Sequence, residues 1–195
     1  TVAFLAADVS GKGIPAAMFM MTAKTIIKDL AERGMAVNEI FTKANEKLCE
    51  NNESGMFVTA WMAIIDITTG EMQFANAGHN PPLLKRADGS FEYLKTRAGF
   101  VLGGMEGIRY RVNQLILSPG DRLFLYTDGV TEATSLDEEL YGDDRLCDVL
   151  NRNIDKAPAE LLPLVKEDID KFVGEAPQFD DITMLCMEFK KKMEE

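Results

Sequence analysis

Three aspartates stand where a predicted strand gives way to a loop. They are Asp8 in Ala7-Asp8-Val9-Ser10-Gly11-Lys12-Gly13, Asp128 in Tyr126-Thr127-Asp128-Gly129, and Asp180, followed at once by Asp181. Large sequence intervals do not prevent such residues from converging in space. Two carboxylates ~4 Å apart repel by ~4 kcal/mol at an effective dielectric near 20, so a convergent cluster needs divalent cations to persist. Hard oxygen ligands suit Mg²⁺ or Mn²⁺, whereas zinc would favour His or Cys. The first stretch is open to a second chemistry, because Gly11 and Gly13 let the backbone approach a phosphate at the start of a helix. The plain alternative is that each Asp is a turn-former or helix cap, and spacing alone leaves all three readings open.

Other chemistries are tested by what is missing. Cys49 has no arginine in Cys-x5-Arg register, Gly11-Lys12-Gly13 lacks the frame of a nucleotide P-loop, and no Gly-x-Ser-x-Gly elbow occurs. His79 is the only histidine and precedes Asn80-Pro81-Pro82, the setting of a hydrogen-bonded loop anchor. Ser10 has no convincing base and fits hydrogen bonding within its loop. A net charge of −11 repels DNA, RNA and anionic lipid, so nucleic acid is not an expected partner. Cys49, Cys147 and Cys186 suggest neither a disulfide frame nor a zinc site, and fit reduced thiols in the cytoplasm. No apolar run is long enough to span a bilayer, so direct membrane insertion is not expected.

The elements that must position these acids follow from periodicity. Val2 to Ala7 is a short apolar strand, and Pro15 suits the first position of the helix behind the glycine loop. Ala16, Phe19, Ala23, Ile26 and Leu30 follow helical spacing, and Gly34 offers a stop. A second helix from about Val37 to Asn51 carries Val37, Ile40, Phe41, Ala44 and Leu48 on one stripe. From Phe57 the period changes to that of strands: Phe57 to Ile67, Glu71 to Ala77, Leu83 to Lys85 and Phe91 to Leu94. Tyr110 to Leu117 and Arg122 to Thr127 form a further pair across the turn Ser118-Pro119-Gly120-Asp121. Glu132 to Gly142 is polar and irregular, in the manner of a flap. Helices over Asp144 to Asn151 and Ala159 to Val173, the latter with Leu162, Val165, Ile169 and Phe172 spaced for burial, precede a last strand, Ile182 to Phe189. This order lacks strict strand-helix alternation and predicts an α+β fold, a sandwich of antiparallel sheets covered by helices.

Four separated motifs, in order, carry a resemblance. They are Asp8-Val9-Ser10-Gly11-Lys12-Gly13-Ile14-Pro15-Ala16-Ala17, Ala77-Gly78-His79-Asn80-Pro81-Pro82, Pro119-Gly120-Asp121 through Tyr126-Thr127-Asp128-Gly129-Val130-Thr131-Glu132-Ala133, and Asp180-Asp181-Ile182-Thr183. The chain resembles the bacterial metal-dependent protein serine/threonine phosphatases, the SpoIIE-like branch of the PPM superfamily. The resemblance implies a β-sandwich flanked by helices (αββα) holding two divalent cations, Mn²⁺ or Mg²⁺. Asp8, the Val9 backbone carbonyl, Asp128 and Asp180 would be the metal ligands, with Asp181 a less regular further position. Asp8, Asp128 and Asp180 would then act catalytically through a metal-bound water that attacks phosphorus. The implied substrate is phosphoserine or phosphothreonine on a regulatory protein, an anti-sigma-factor antagonist, and the implied setting is a cytoplasmic domain coupled to a sensory one. Met18, Met20 and Met21 would lie on a helix that acts in regulation. The family carries a further Gly-Gly-Asp-x-x-Asp motif upstream. Residues 1–195 are therefore expected to form one phosphatase-like domain without its first strands and first acidic motif, with impaired activity as a result. The rival readings are a non-catalytic, partner-binding domain that keeps the fold, and a phosphoanion-binding module without hydrolysis.

Overall fold

The computed structural model describes residues 1–50, 52–178 and 180–190. It divides into two units, Thr1–His79 with Thr96–Leu117, and Asn80–Lys95 with the described part of Ser118–Lys191.

In the first unit β1 (Val2–Val9), β2 (Val58–Ile65), β3 (Glu71–Ala77) and β6 (Asn113–Ile116) form one antiparallel sheet in the order β1-β2-β3-β6. Side chains alternate across it with a period of two. Leu5, Ala7 and Val9 of β1, with Ala60 and Met62 of β2 and Ala75 and Ala77 of β3, pack against α1 (Ile14–Glu32) and α2 (Val37–Cys49). The other face carries Phe4, Trp61 and Phe74, with Trp61 stacked on Phe74 at 5.2 Å. Asp8 has the parity of Phe4 and therefore falls on the face away from these helices. All five stripe residues of α2 are buried, each large one contributing about 1.5–3 kcal/mol. On α1 the deep positions are Ala16, Ala23, Ile27 and Leu30, while Phe19 and Ile26 are only partly buried. Met18 and Met21 are exposed.

In the second unit β4 (Leu83–Lys85), β5 (Phe91–Tyr93), β7 (Arg122–Tyr126) and β8 (Met184–Glu188) form an antiparallel sheet in the order β5-β4-β7-β8. Leu83, Phe91, Phe124 and Tyr126 bury one face against α4 (Asp143–Arg152) and α5 (Pro158–Val173), chiefly Leu146, Leu150, Leu161, Val165 and Ile169. The short α3 (Asp128–Thr131) follows β7. Two expectations are corrected here. β6 and β7 are not a hairpin: the turn at Ser118 to Asp121 forms, with Asp121 N donating to Ser118 O at 2.9 Å, but β6 pairs with β3 while β7 pairs with β4 and β8. Turn composition fixes a reversal, not the strand that receives the chain. Residues 132–142 form a closed loop, with Tyr141 N bonded to Ala133 O and Ser135 N to Glu139 O, rather than an open flap.

The α4–α5 contact is tied by Asp168, which accepts hydrogen bonds from Tyr141 Oη at 2.8 Å and Arg145 Nε at 3.1 Å. Burial raises its pKa, but the Tyr141 and Arg145 bonds and the Arg145 and Arg152 charges outweigh that and hold the carboxyl below its ordinary value. A depressed folded-state pKa gives stability that is present above the unfolded value, near 4, and lost as pH falls through the folded one. Asp168→Asn is expected to lower stability at pH 7 by about 1.5 kcal/mol, the lower end for hydrogen bonds to a charged group, because both arginines are well exposed. Urea unfolding of both proteins from pH 7 to pH 3 checks this, with the gap closing below pH 4.

Candidate metal centre

Asp8 and Val9 end β1, opposite Thr59 and Val58 of β2. Thr59 Oγ1 donates to the Asp8 carbonyl at 3.4 Å and lies 2.9 Å from His79 Nδ1. If the hydroxyl proton goes to Asp8, the imidazole must carry its proton on Nδ1. Asn76 clamps the His79 backbone from both sides, accepting from its N–H at 2.8 Å and donating to its carbonyl at 2.9 Å. His79 is thus a buried loop anchor whose ring reaches Thr59 on β2, the strand paired with the one that carries Asp8. Ser10 is also a clamp: its Oγ accepts from Phe57 N, and its own N–H donates to Phe57 O, both at 2.9 Å. Gly11 and Gly13 have φ of +81° and +82°, with open space where a Cβ would sit. They are required by the backbone turn, not by crowding.

In the second unit Asp128 is the first residue of α3, directly behind β7. The regular β7–β8 ladder ends at Tyr126 and Met184. One residue further on, Thr127 N donates to Thr183 O at 3.0 Å, and Thr127 Oγ1 donates to Asp181 O at 3.1 Å. Gly129 lies against the same segment, where an added Cβ would be 2.3 Å from Asp181 O. The fold therefore brings the Asp128 and Asp180–Asp181 segments together. Asp180 is half-buried, and its Oδ1 accepts from Asp181 N at 2.9 Å. Asp181 is exposed, and its backbone N–H and carbonyl serve these internal bonds. A cleft of about 260 Å³ beside Asp180 is lined by Gly129, Glu132, Thr134, Asp170 and Gln178.

Among the described residues, no group of three or more His, Cys, Asp or Glu is gathered closely enough to hold a metal ion. The candidate donors are carboxylates and carbonyls, with two acid-bearing segments fixed side by side. This set fits a hard cation such as Mg²⁺, which keeps several waters and needs only one or two carboxylates. Sequence reasoning singled out the acids as candidates but missed the bonds made by Thr127 and by the Thr59–His79 pair. The Thr at the strand end was the one signal available for the former; the latter spans 20 residues and has no local sign.

A family profile described as Stage II sporulation protein E (SpoIIE) matches residues 1–190. The chain belongs to the SpoIIE family. The phosphoserine phosphatase RsbU of Bacillus subtilis is 34% identical over 127 residues, covering 65% of this chain and 38% of that protein. The chain spans about a third of the length of the curated relatives it matches. The SiaA-PP2C domain of Pseudomonas aeruginosa superposes with a TM-score of 0.85 at 22% identity, over 96% of this chain and 76% of that one. The catalytic domain of the serine/threonine phosphatase PstP, solved with two manganese ions, gives 0.67 at 16% identity, over 94% and 85%. The fold is thus that of PP2C phosphatase domains: α+β, with two antiparallel sheets and flanking helices. Among the described residues no helix is long and apolar enough to cross a membrane.

Proposed function

We propose that the chain is the catalytic part of a divalent-metal-dependent phosphatase. It hydrolyses phosphoserine or phosphothreonine on a regulatory protein, an anti-sigma-factor antagonist in a cytoplasmic partner-switching circuit. The observation that carries this reading is the bond that holds the Asp128 segment to the Asp180–Asp181 segment, at the Asp181 carbonyl, in a member of the SpoIIE family. RsbU, a phosphoserine phosphatase by name, supports the substrate class. The two manganese ions of PstP support a pair of Mn²⁺ or Mg²⁺.

Asp8, the Val9 carbonyl, Asp128 and Asp180 would hold the metal, with Asp181 beside them. When bound, such ions lower the pKa of coordinated water and offset charge on phosphoryl oxygens. The chain's own part is to present hard oxygens in a fixed arrangement, which Thr59 and Ser10 do at the end of β1 and Thr127 at the end of β7. The Ser10 hydroxyl accepts from Phe57 N and so helps to hold the loop behind β1. Residues 1–195 act as one catalytic domain coupled to a sensory segment, to whose site the family's Gly-Gly-Asp-x-x-Asp motif would add a ligand.

The test is hydrolysis of a phosphoserine protein with and without Mn²⁺, by this chain and by a version that includes the natural upstream residues. We expect metal-dependent turnover in the longer protein and a lower rate in the shorter. Equal rates would remove the upstream ligand. Absence of metal-dependent turnover in both, with the phosphoprotein still bound, would leave a partner-binding domain.

A further inference from the structure

We infer that Thr127 is a positioning residue for the metal centre, an inference that rests on the metal reading above. Its hydroxyl takes over a ladder position from the main chain so that Asp128 can open a helix while staying beside the Asp180–Asp181 segment. The antiparallel ladder of β7 and β8 would continue beyond Tyr126 and Met184 by pairing Thr127 with Thr183. Half of that pair is regular, with Thr127 N donating to Thr183 O at 3.0 Å. The return bond is not: Thr183 N donates at 3.0 Å to Thr127 Oγ1, in place of the Thr127 carbonyl. That carbonyl is thereby released and accepts at 3.0 Å from Val130 N, closing the first turn of α3.

The same hydroxyl donates its proton to Asp181 O at 3.1 Å, so one oxygen holds both sides of Ile182. Asp128 follows Thr127 directly, and Asp180 precedes the pinned carbonyl by one residue. Thr127 is 1% exposed, which leaves little room for water to replace its two bonds. A valine fills the same volume and makes neither. With Thr127 N to Thr183 O intact, strand pairing persists and the separation of the two ligand-bearing segments is what loosens. Outer-sphere partners of this kind are typically worth 10–100-fold in metal affinity or activity.

The experiment is Mn²⁺ titration by calorimetry of the longer protein of the hydrolysis assay, as parent, Thr127→Val, Thr127→Ala, Thr127→Ser and Asp128→Asn, well below each melting temperature. Thr127→Val and Thr127→Ala are expected to raise the Mn²⁺ Kd about tenfold or more, with Thr127→Ser within about threefold of the parent. The Mn²⁺ concentration for half-maximal rate should move in parallel. If Thr127→Val fails to fold, Thr127→Ala and the Ser rescue still decide the matter. A lowered melting temperature with unchanged Mn²⁺ Kd in the Val and Ala variants would make Thr127 merely structural and overturn the inference. Parental Mn²⁺ binding in Asp128→Asn, or none in the parent, would overturn the metal reading itself.

Discussion

Asp128→Asn is expected to lower metal-dependent phosphatase turnover by at least about 10²-fold while leaving the fold in place. The magnitude follows from comparison: groups that only orient a ligand cost up to 100-fold, and a ligand lost outright should cost more. Asn keeps the size of Asp but replaces a charged oxygen donor with a neutral amide, a poor partner for a hard cation. The fold is insulated because Asp128's structural contacts run through its carbonyl, which accepts from Glu132 N at 2.8 Å and Thr131 Oγ1 at 3.4 Å. The cost to stability is the loss of an acid in the first turn of a helix, less than about 1 kcal/mol. Initial rates against Mn²⁺ concentration, together with urea unfolding, separate the two effects. Asp181→Asn is the informative companion. Its side chain is exposed and its backbone supplies the internal bonds, so a smaller loss, about tenfold, is expected. A loss as large as that of Asp128→Asn would make Asp181 a ligand in its own right.

What could be seen in the sequence was what depends on neighbours in the chain. The stripe Val37, Ile40, Phe41, Ala44 and Leu48 is wholly buried because a short amphipathic helix has one face to place. On α1 the walk Ala16, Ala23, Ile27, Leu30 displaced Ile26, since the tertiary contact selects among adjacent faces that the apolar pattern leaves nearly equivalent. The predicted strand over Tyr110 to Leu117 shortened to Asn113–Ile116 because Tyr110 is drawn into the helix-side core, edge-on to Phe41 at 5.6 Å. The assignment of β6 and β7 to different sheets is a pairing between distant segments, on which the turn between them bears no information. The same division runs through the site. Asp8 and Asp128 stood out because an acid at a strand end with glycine within a few residues behind it is a local pattern. The hydroxyl of Thr127 acquires its role only where β8 arrives, 56 residues later, and Thr59 meets the Asp8 carbonyl across 51.

Gly129→Ala should be the most damaging single-methyl change in the second unit. Glycine here is not chosen for a positive φ: Gly129 lies within α3, where alanine is conformationally favoured by about 1 kcal/mol. What forbids alanine is the neighbour. An added Cβ would sit 2.3 Å from Asp181 O and 3.0 Å from its carbonyl carbon, with the Asp180 carbonyl carbon at 3.4 Å. These are main-chain atoms, which cannot swing aside as a flexible side chain would. Either α3 or the Asp180–Asp181 segment must move by the better part of an ångström, and each movement breaks the Thr127 bonds to Asp181 and Thr183. Overpacking of this kind costs about 1–3 kcal/mol or more, enough to outweigh the helix propensity of alanine. Because the displaced segment begins at Asp180, Mn²⁺ binding should fall with stability, whereas Asp168→Asn, which loosens the same unit away from the site, should lower stability alone. Urea unfolding and Mn²⁺ calorimetry on the two variants distinguish these outcomes. Parental metal affinity in a destabilised Gly129→Ala protein would show that the close approach of Gly129 to Asp181 serves packing and not the placement of Asp180.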